Sequence, residues 1–310
     1  MNSREIKKIC VIGAGVIGAS WAAYFLSRKL DVQMIDPSPD ALSSARPFID
    51  NALAHIQTID GDDIKLGRLD FCASLEEMAD DIDFVQECGP ENLEWKQDIF
   101  RTLDQKLHQN ILIASSTSSL LPSDLQEKCA RHPERLLVAH PFNPPHLLPL
   151  VELVGGKKTS NDAVQSAFKF YKKIAKSPII VKKEMVGHLA NRLTSALWRE
   201  AVHLVAEGVA SVEDVDKAIT EGPGLRWAIM GPHMLYHLGG GQGGMEHYLD
   251  HLGDTQVARW KELGNPELSI DVKAKLIEGI ESEANRKTID ELSNERDKSL
   301  LKILKHRQEK

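Results

Sequence analysis

The segment Ile9-Cys10-Val11-Ile12-Gly13-Ala14-Gly15-Val16-Ile17-Gly18 leaves this chain few ways to fold. A short apolar strand runs into a Gly-x-Gly-x-x-Gly turn, and a helical stretch from Ala19 to Leu30 follows. Gly13 permits the tight turn, Gly15 lets the backbone approach a pyrophosphate, and Gly18 allows close helix-strand packing. The opening amides of the helix, with Val16 and Ile17 between the glycines, supply positive potential for phosphates. A second apolar strand, Val32 to Ile35, ends at Asp36, 23 residues after Gly13. A carboxylate there accepts bonds from the adenosine ribose hydroxyls and repels a 2'-phosphate, so the expected cofactor is NAD.

The rest of the chain alternates strand and helix as far as residue 181. Pro37 and Pro39 break the second strand and begin a helix through about residue 57, and Gly61 and Gly67 punctuate a polar connection. Phe71 ends a short strand, Leu75 to Met78 is a short helix, and Phe84-Val85-Gln86-Glu87 is the next strand. Glu91 to Leu107 has helical spacing. Further strands follow at Ile111 to Ala114, Leu136 to His140, Leu150 to Val154 and Pro178 to Val181, with an amphipathic helix over 161–175. This is the pattern of a parallel-rich sheet covered by helices on both faces.

After Glu184 the period changes. Leu189, Leu193, Leu197, Ala201 and Val205 recur every four residues and mark a long helix. Ser211-Val212-Glu213-Asp214 resembles a helix cap followed by acids. Glycines at 239, 240, 241, 243 and 244 interrupt the register, and Leu292 to Lys310 is charged and helical. The expected class is α/β: a Rossmann-type nucleotide-binding domain over 1–185, then an all-helical domain over 186–310 for substrate binding and dimerisation. With 310 residues there is enough chain for two cores.

Composition narrows the function classes. A net charge of -7 with no basic block argues against a nucleic-acid partner; Arg4, Lys7 and Lys8 simply precede the first strand. No apolar stretch is long enough to span a bilayer. The first apolar run is itself the entry strand, so no signal peptide is expected. Cys10, Cys72, Cys88 and Cys129 are scattered without metal-ligand spacing. No metal and a cytoplasmic location are the expectations.

Four segments can converge outside the carboxyl ends of the strands: Ser115 to Ser119, Ala139 to Pro145, Glu152, and Asn191. A histidine can take the proton of a secondary alcohol as hydride leaves for nicotinamide, and a carboxylate at its second nitrogen fixes the tautomer. His140 and Glu152 suit those roles, and Asn191 and Ser118 can hold the alcohol or polarise the product carbonyl. A structural histidine, an interior ion pair and a capping serine loop are the alternatives that spacing alone leaves open.

With these landmarks assembled, the chain resembles the L-3-hydroxyacyl-CoA dehydrogenase superfamily over essentially its full length. The resemblance rests on Gly13-x-Gly15-x-x-Gly18, Asp36, Glu91-Asn92-Leu93-x-x-Lys96, Thr117-Ser118-Ser119-Leu120, His140-Pro141-Phe142-Asn143-Pro144, Leu150-Val151-Glu152-Leu153 and Asn191-Arg192-Leu193. It implies a catalytic pair His140 and Glu152, substrate contacts from Ser118 and Asn191, and Glu91 and Lys96 at the nicotinamide half of NAD. It also implies a homodimer. Departures from the acyl-CoA enzymes include the short segment between Asp36 and Glu91, the stretch Gly224 to Pro232, and the missing Gly-x-Gly-Phe-Tyr close. They shift the resemblance toward the branch acting on small free 3-hydroxy acids. The expected substrate there is L-carnitine, with L-gulonate or a short L-3-hydroxyacyl-CoA as alternatives and a crystallin-like structural role as the non-enzymatic one. A trimethylammonium group needs aromatic faces, for which Phe142, Trp198, Trp227 and Tyr236 are candidates. Arg226 is the candidate for the substrate carboxylate. Ordinary core packing and an interdomain ion pair are their competing explanations.

Overall fold

The computed structural model describes residues 5–61 and 64–308. Arg4 of the basic cluster and Glu309 and Lys310 of the terminal helical stretch lie outside them. The chain divides into two compact units, Met1–Arg192 with Arg296–Lys310, and Leu193–Glu295.

The first unit is built on one eight-stranded sheet. Its strands are β1 (Lys8–Ile12), β2 (Asp31–Ile35), β3 (Leu69–Cys72), β4 (Phe84–Glu87), β5 (Leu112–Ser115), β6 (Leu136–Pro141), β7 (Leu150–Gly155) and β8 (Ser177–Val181). They lie in the order β3-β2-β1-β4-β5-β6-β7-β8. Every neighbouring pair is parallel except β6 and β7, which are antiparallel. The strand order reverses between β1 and β4, so the connections that leave their paired carboxyl ends run to opposite sides and leave a crevice there.

Side chains alternate across this sheet with period two. Ile9, Val11, Val32, Met34, Phe84, Leu112, Ala114, Leu137 and Ala139 join one core with the helices α1 (Val16–Ser27) and α2 (Pro39–Asp60). Cys10, Ile12, Ile35, Val85, Ile113, Leu136 and Val138 join a second core with α3 (Leu93–Lys106) and α4 (Pro122–Leu125). The helix α5 (Asn161–Lys173) packs into the first core through Phe170 and Tyr171. Both faces are therefore covered, which is why the strands read as nearly continuous apolar runs.

The first helix begins at Val16, three residues ahead of the expected Ala19. Gly15 is its N-cap, and the Ala19 amide already donates to Gly15 O at 2.9 Å. The glycines of the turn sit where a helix tolerates them, so they do not delay it. The helix stops at Ser27 rather than Leu30 because Lys29 turns left-handed, with φ of 63°.

Helix α6 (Ala190–Ala206) starts in the first unit and continues into the second, which holds α7 (Val212–Thr220), α8 (Pro223–Trp227), α9 (Pro232–Gly239), α10 (Gly244–Glu262) and α11 (Ile270–Ala284). Helix α12 (Ile289–Gln308) passes back into the first unit. No strand occurs in the second unit among the described residues. Ser211 caps α7 by accepting from Asp214 N. Val205, Val212 and Val215 form a small core there. Of the α6 stripe, Val205 packs into that core while Leu193 and Leu197 stay exposed.

The turn between β6 and β7 is anchored from behind by His146. Its Nδ1 and its backbone N–H both meet Ser20 Oγ at 2.8 Å, and its Nε2 lies 3.3 Å from His55 Nδ1. Burial first, then the neighbouring His55, push its imidazole from 6.5 down to about 4. Below the ordinary value the unfolded chain takes up a proton that the folded chain refuses until about pH 4. Stability from this group is thus complete above about pH 6.5 and falls by up to about 3 kcal/mol on acidification through that window. His146→Asn keeps a polar atom near Ser20 and removes this titration. Denaturant unfolding at pH 7 and pH 4.5 should show a smaller acid loss in the variant; equal losses would clear His146 of the effect.

Candidate active site

Three parallel strands and one antiparallel partner deliver the polar groups. In the β6–β7 register His140 lies directly opposite Glu152. Directly opposed residues share a sheet face, so the two side chains meet without any loop to place them. His140 Nδ1 donates to Glu152 Oε2 at 2.8 Å. The carboxylate can only accept, so the proton sits on Nδ1 and Nε2 carries the lone pair.

Glu152 Oε1 accepts from Leu189 N at 2.9 Å and Ala190 N at 3.0 Å, the amides that lead into α6. Burial alone would push the Glu152 carboxyl up. The bonds from His140, Ala190 N and Leu189 N outweigh it and hold the group below its usual value. The same carboxylate therefore fixes the imidazole and the beginning of the helix that carries Asn191.

The end of β5 supplies the facing wall. Glu91 Oε1 accepts from Thr117 Oγ1 at 2.6 Å, Ser118 N at 3.0 Å and Ser119 N at 3.1 Å, with the two serine hydroxyls at 3.3 and 3.1 Å. Burial would raise this carboxyl, but the hydroxyl and amide donors and Lys96 together hold it low. Asn191 Nδ2 reaches Ser118 O at 3.4 Å. Lys96 Nζ is buried and paired with Glu87 Oε1 at 2.6 Å, and lies 3.8 Å from Glu91 Oε2. A cavity of about 380 Å³ opens among Ser118, His140, Phe142, Asn191, Glu91 and Lys96.

The glycine turn fits a dinucleotide. Gly13 has φ of 100°, and a side chain there would strike Cys88 O. A Cβ on Gly18 would stand 1.9 Å from Gly13 O, so close packing demands glycine. A Cβ on Gly15 would meet nothing within 4 Å. No protein atom forces glycine at that position, and the open backbone beside the exposed Val16 suits a phosphate at the start of α1. Asp36 is tied to the turn, Oδ2 accepting from Ala14 N at 2.8 Å and Oδ1 from Ser38 N at 2.9 Å. A carboxylate has about four acceptor positions, which leaves room for ribose hydroxyls.

His140, Glu152, Ser118, Asn191, Glu91, Lys96 and Phe142 thus come together within one unit, with Ile17 also on the cavity wall. Trp198, Arg226, Trp227 and Tyr236 lie in the second unit. There Arg226 and Trp227 are neighbours on α8, and Tyr236 packs on Tyr248 with ring centroids 5.0 Å apart. Sequence reasoning missed Glu87, whose Oε2 accepts from Ser115 Oγ at 2.6 Å while Oε1 holds Lys96 and Gly89 N. An acid ending a buried strand at its carboxyl end was the available signal. Among the described residues no group of three or more His, Cys, Asp or Glu could hold a metal ion. No helix among them is long and apolar enough to cross a membrane.

A nucleotide crevice beside a carboxylate-bound histidine defines a nicotinamide-dependent oxidoreductase. Comparison with known proteins agrees. Residues 8–185 match the NAD binding domain of 3-hydroxyacyl-CoA dehydrogenase, and residues 187–266 match the C-terminal domain of that family. The chain belongs to the 3-hydroxyacyl-CoA dehydrogenase family and is an NAD-dependent dehydrogenase. It is 43% identical over 303 residues to L-carnitine dehydrogenase of Oceanobacillus iheyensis, covering 96% of this chain and 97% of that one. The L-carnitine dehydrogenase of Pseudomonas aeruginosa is 42% identical, with 97% and 94% covered. Among solved structures, 5-formyl-3-hydroxy-2-methylpyridine 4-carboxylic acid 5-dehydrogenase, an NAD+-dependent dismutase, is similar with a TM-score of 0.82 at 28% identity, covering 96% of this chain and 97% of that one. The (S)-3-hydroxybutyryl-CoA dehydrogenase of Ralstonia eutropha gives a TM-score of 0.63 at 27% identity, covering 76% and 82%.

The glycines separate two jobs in one experiment. Gly15→Ala should leave the unfolding midpoint unchanged and weaken NAD binding tenfold or more, about 1.4 kcal/mol. Gly18→Ala should destabilise the fold by about 1–3 kcal/mol through overpacking. Calorimetric binding and thermal unfolding read the two effects; undiminished NAD affinity in Gly15→Ala would remove the phosphate from that site.

Proposed function

We propose that this chain is an L-carnitine dehydrogenase, oxidising the 3-hydroxyl of L-carnitine to 3-dehydrocarnitine. The observation that carries the reaction is the His140–Glu152 pair at 2.8 Å on the wall of a cavity shared with Ser118 and Asn191. The substrate is supported by the 40–43% identity to L-carnitine dehydrogenases over nearly the whole chain.

His140 Nε2 takes the hydroxyl proton of the substrate, and the imidazolium that results is stabilised by Glu152 across Nδ1–H. When bound, NAD⁺ supplies the acceptor for the hydride that leaves C3. Ser118 and Asn191 orient the hydroxyl and polarise the forming carbonyl. Lys96 and Glu91 border the nicotinamide side of the cavity. Gly13, Gly15, Gly18 and the amides of Val16 and Ile17 hold the pyrophosphate, and Asp36 holds the adenosine ribose. Arg226 takes the substrate carboxylate. Trp227, with Trp198, Phe142 and Tyr236 as the other candidates, faces the trimethylammonium group, which has no N–H to donate.

The protein acts as a homodimer of two identical chains in the cytoplasm. Dimerisation is supported by apolar side chains that stay exposed among the described residues: Ile270, Ile277 and Ile280 on α11, and Val257 and Trp260 on α10. The cytoplasm is supported by four free thiols.

NADH formation with L-carnitine, D-carnitine, L-gulonate and 3-hydroxybutyryl-CoA tests the substrate. L-carnitine should be oxidised fastest, and preference for either of the last two would overturn the assignment. His140→Gln should lower kcat about 10²–10⁴-fold, the usual contribution of general acid-base catalysis, with NAD affinity nearly unchanged. A variant with normal turnover would remove His140 from the chemistry. Mass measured in solution over a concentration series should give twice the chain mass of 34.5 kDa; a monomer at every concentration contradicts the dimer.

A further inference from the structure

A second histidine, His188, packs against the ring of His140. It is fully buried. Its ring centroid lies 5.2 Å from that of His140, tilted by 47°. Its Nε2 is 3.1 Å from Thr117 O. A carbonyl oxygen only accepts, so Nε2 carries the hydrogen. That leaves Nδ1 as an acceptor, buried and without a hydrogen-bond partner among the described residues.

Packing alone does not account for this residue. A buried acceptor left unpaired is costly, and a phenyl ring would fill the same volume without it. The backbone is unusual as well. Gly187 and His188 have φ of 78° and 50°, two left-handed residues in succession. That reversal turns the chain exiting β8 into the start of α6. Left-handed residues other than glycine are uncommon and persist where their surroundings demand them.

The bond to Thr117 joins the two halves of the cavity wall. Thr117 precedes Ser118 on the turn after β5, and His188 lies three residues before Asn191. We propose that His188 is a positioning residue, locking the Thr117–Ser119 turn to the start of α6 so that Ser118 and Asn191 face His140 at fixed spacing. The proposal rests on the catalytic reading above, and it adds a residue to it. The groups facing His188 are His140 from β6, Glu152 from β7 and Glu91 from the segment after β4. Burial lowers the His188 pKa, against the opposing pull of its bond to Thr117 and of Glu152 and Glu91, with His140 acting in the same direction as burial.

Two measurements test it, one independent of any substrate. Long-range ¹H–¹⁵N NMR of the unchanged protein should show His188 as the neutral Nε2–H tautomer from pH 8 to about 6.5, the ordinary histidine value. A protonated ring or the Nδ1–H tautomer in that range overturns the proposal, whatever the substrate proves to be. His188→Phe keeps the ring and loses the donor, whereas His188→Gln can return an N–H near the Nε2 position. With the 3-hydroxy acid that the unchanged protein oxidises best, kcat of His188→Phe should fall about 10- to 100-fold, because a misplacement of about 1 Å can cost 10²-fold. The Kd for NAD should hold, and His188→Gln should recover most of the loss. Normal turnover in His188→Phe, or a glutamine variant as impaired as the phenylalanine one, assigns His188 to packing alone. A His188→Phe chain that does not fold leaves the glutamine variant and the NMR spectrum to decide.

Discussion

The Glu152 carboxylate is the interaction on which the site depends. Its two oxygens accept three bonds, one from His140 and two from the amides that open α6. Each bond has its own consequence. The first fixes which imidazole nitrogen is a base. The other two satisfy helix amides and place negative charge at a helix start, where the backbone dipoles favour it. An isolated carboxylate in the interior of a sheet would be expensive. Here the desolvation is offset locally, and the group stays ionised. The reacting histidine and the helix that bears Asn191 are therefore positioned by one buried charge.

A second buried charge organises the opposite wall. Glu87, at the end of β4, holds Lys96, Gly89 N and Ser115 Oγ. Lys96 neighbours Glu91, and Glu91 gathers the hydroxyls and amides of residues 117–119. The wall is a sequence of donors and acceptors with alternating charge rather than an apolar pocket. Removing Glu87 would leave the buried Lys96 ammonium and Ser115 hydroxyl without their acceptor, and removing Glu91 would release the 117–119 turn, so effects at these positions will not add. The cavity of about 380 Å³ is lined by apolar side chains such as Ile17 and Phe142 as well as by these polar groups.

The glycine turn shows how one motif meets three separate demands. Gly13 is required by its backbone conformation, Gly18 by the carbonyl against which it packs, and Gly15 by neither. The unconstrained glycine is the informative one, because its freedom serves something other than the protein. The same reasoning applies to His188, where an unpartnered nitrogen points to a purpose beyond filling space.

Much of this was legible in the linear chain. Apolar runs of four or five residues alternating with helical spacing determined a parallel sheet covered on both faces. The glycine turn with Asp36 after the next strand determined the nucleotide crevice. His140 and Glu152 could be named as partners because each lies on a short strand of that pattern. Their contact, however, comes from the antiparallel register of β6 and β7, which no local spacing encodes. Glu87 reads as one more residue of a buried strand, and His188 as one more polar residue before a helix. Both acquire meaning only from segments 28 and 71 residues away in the chain. Local sequence decides secondary structure because backbone geometry and side-chain period are short-range. Which buried polar groups find partners, and which stay unpaired, is decided by tertiary packing alone.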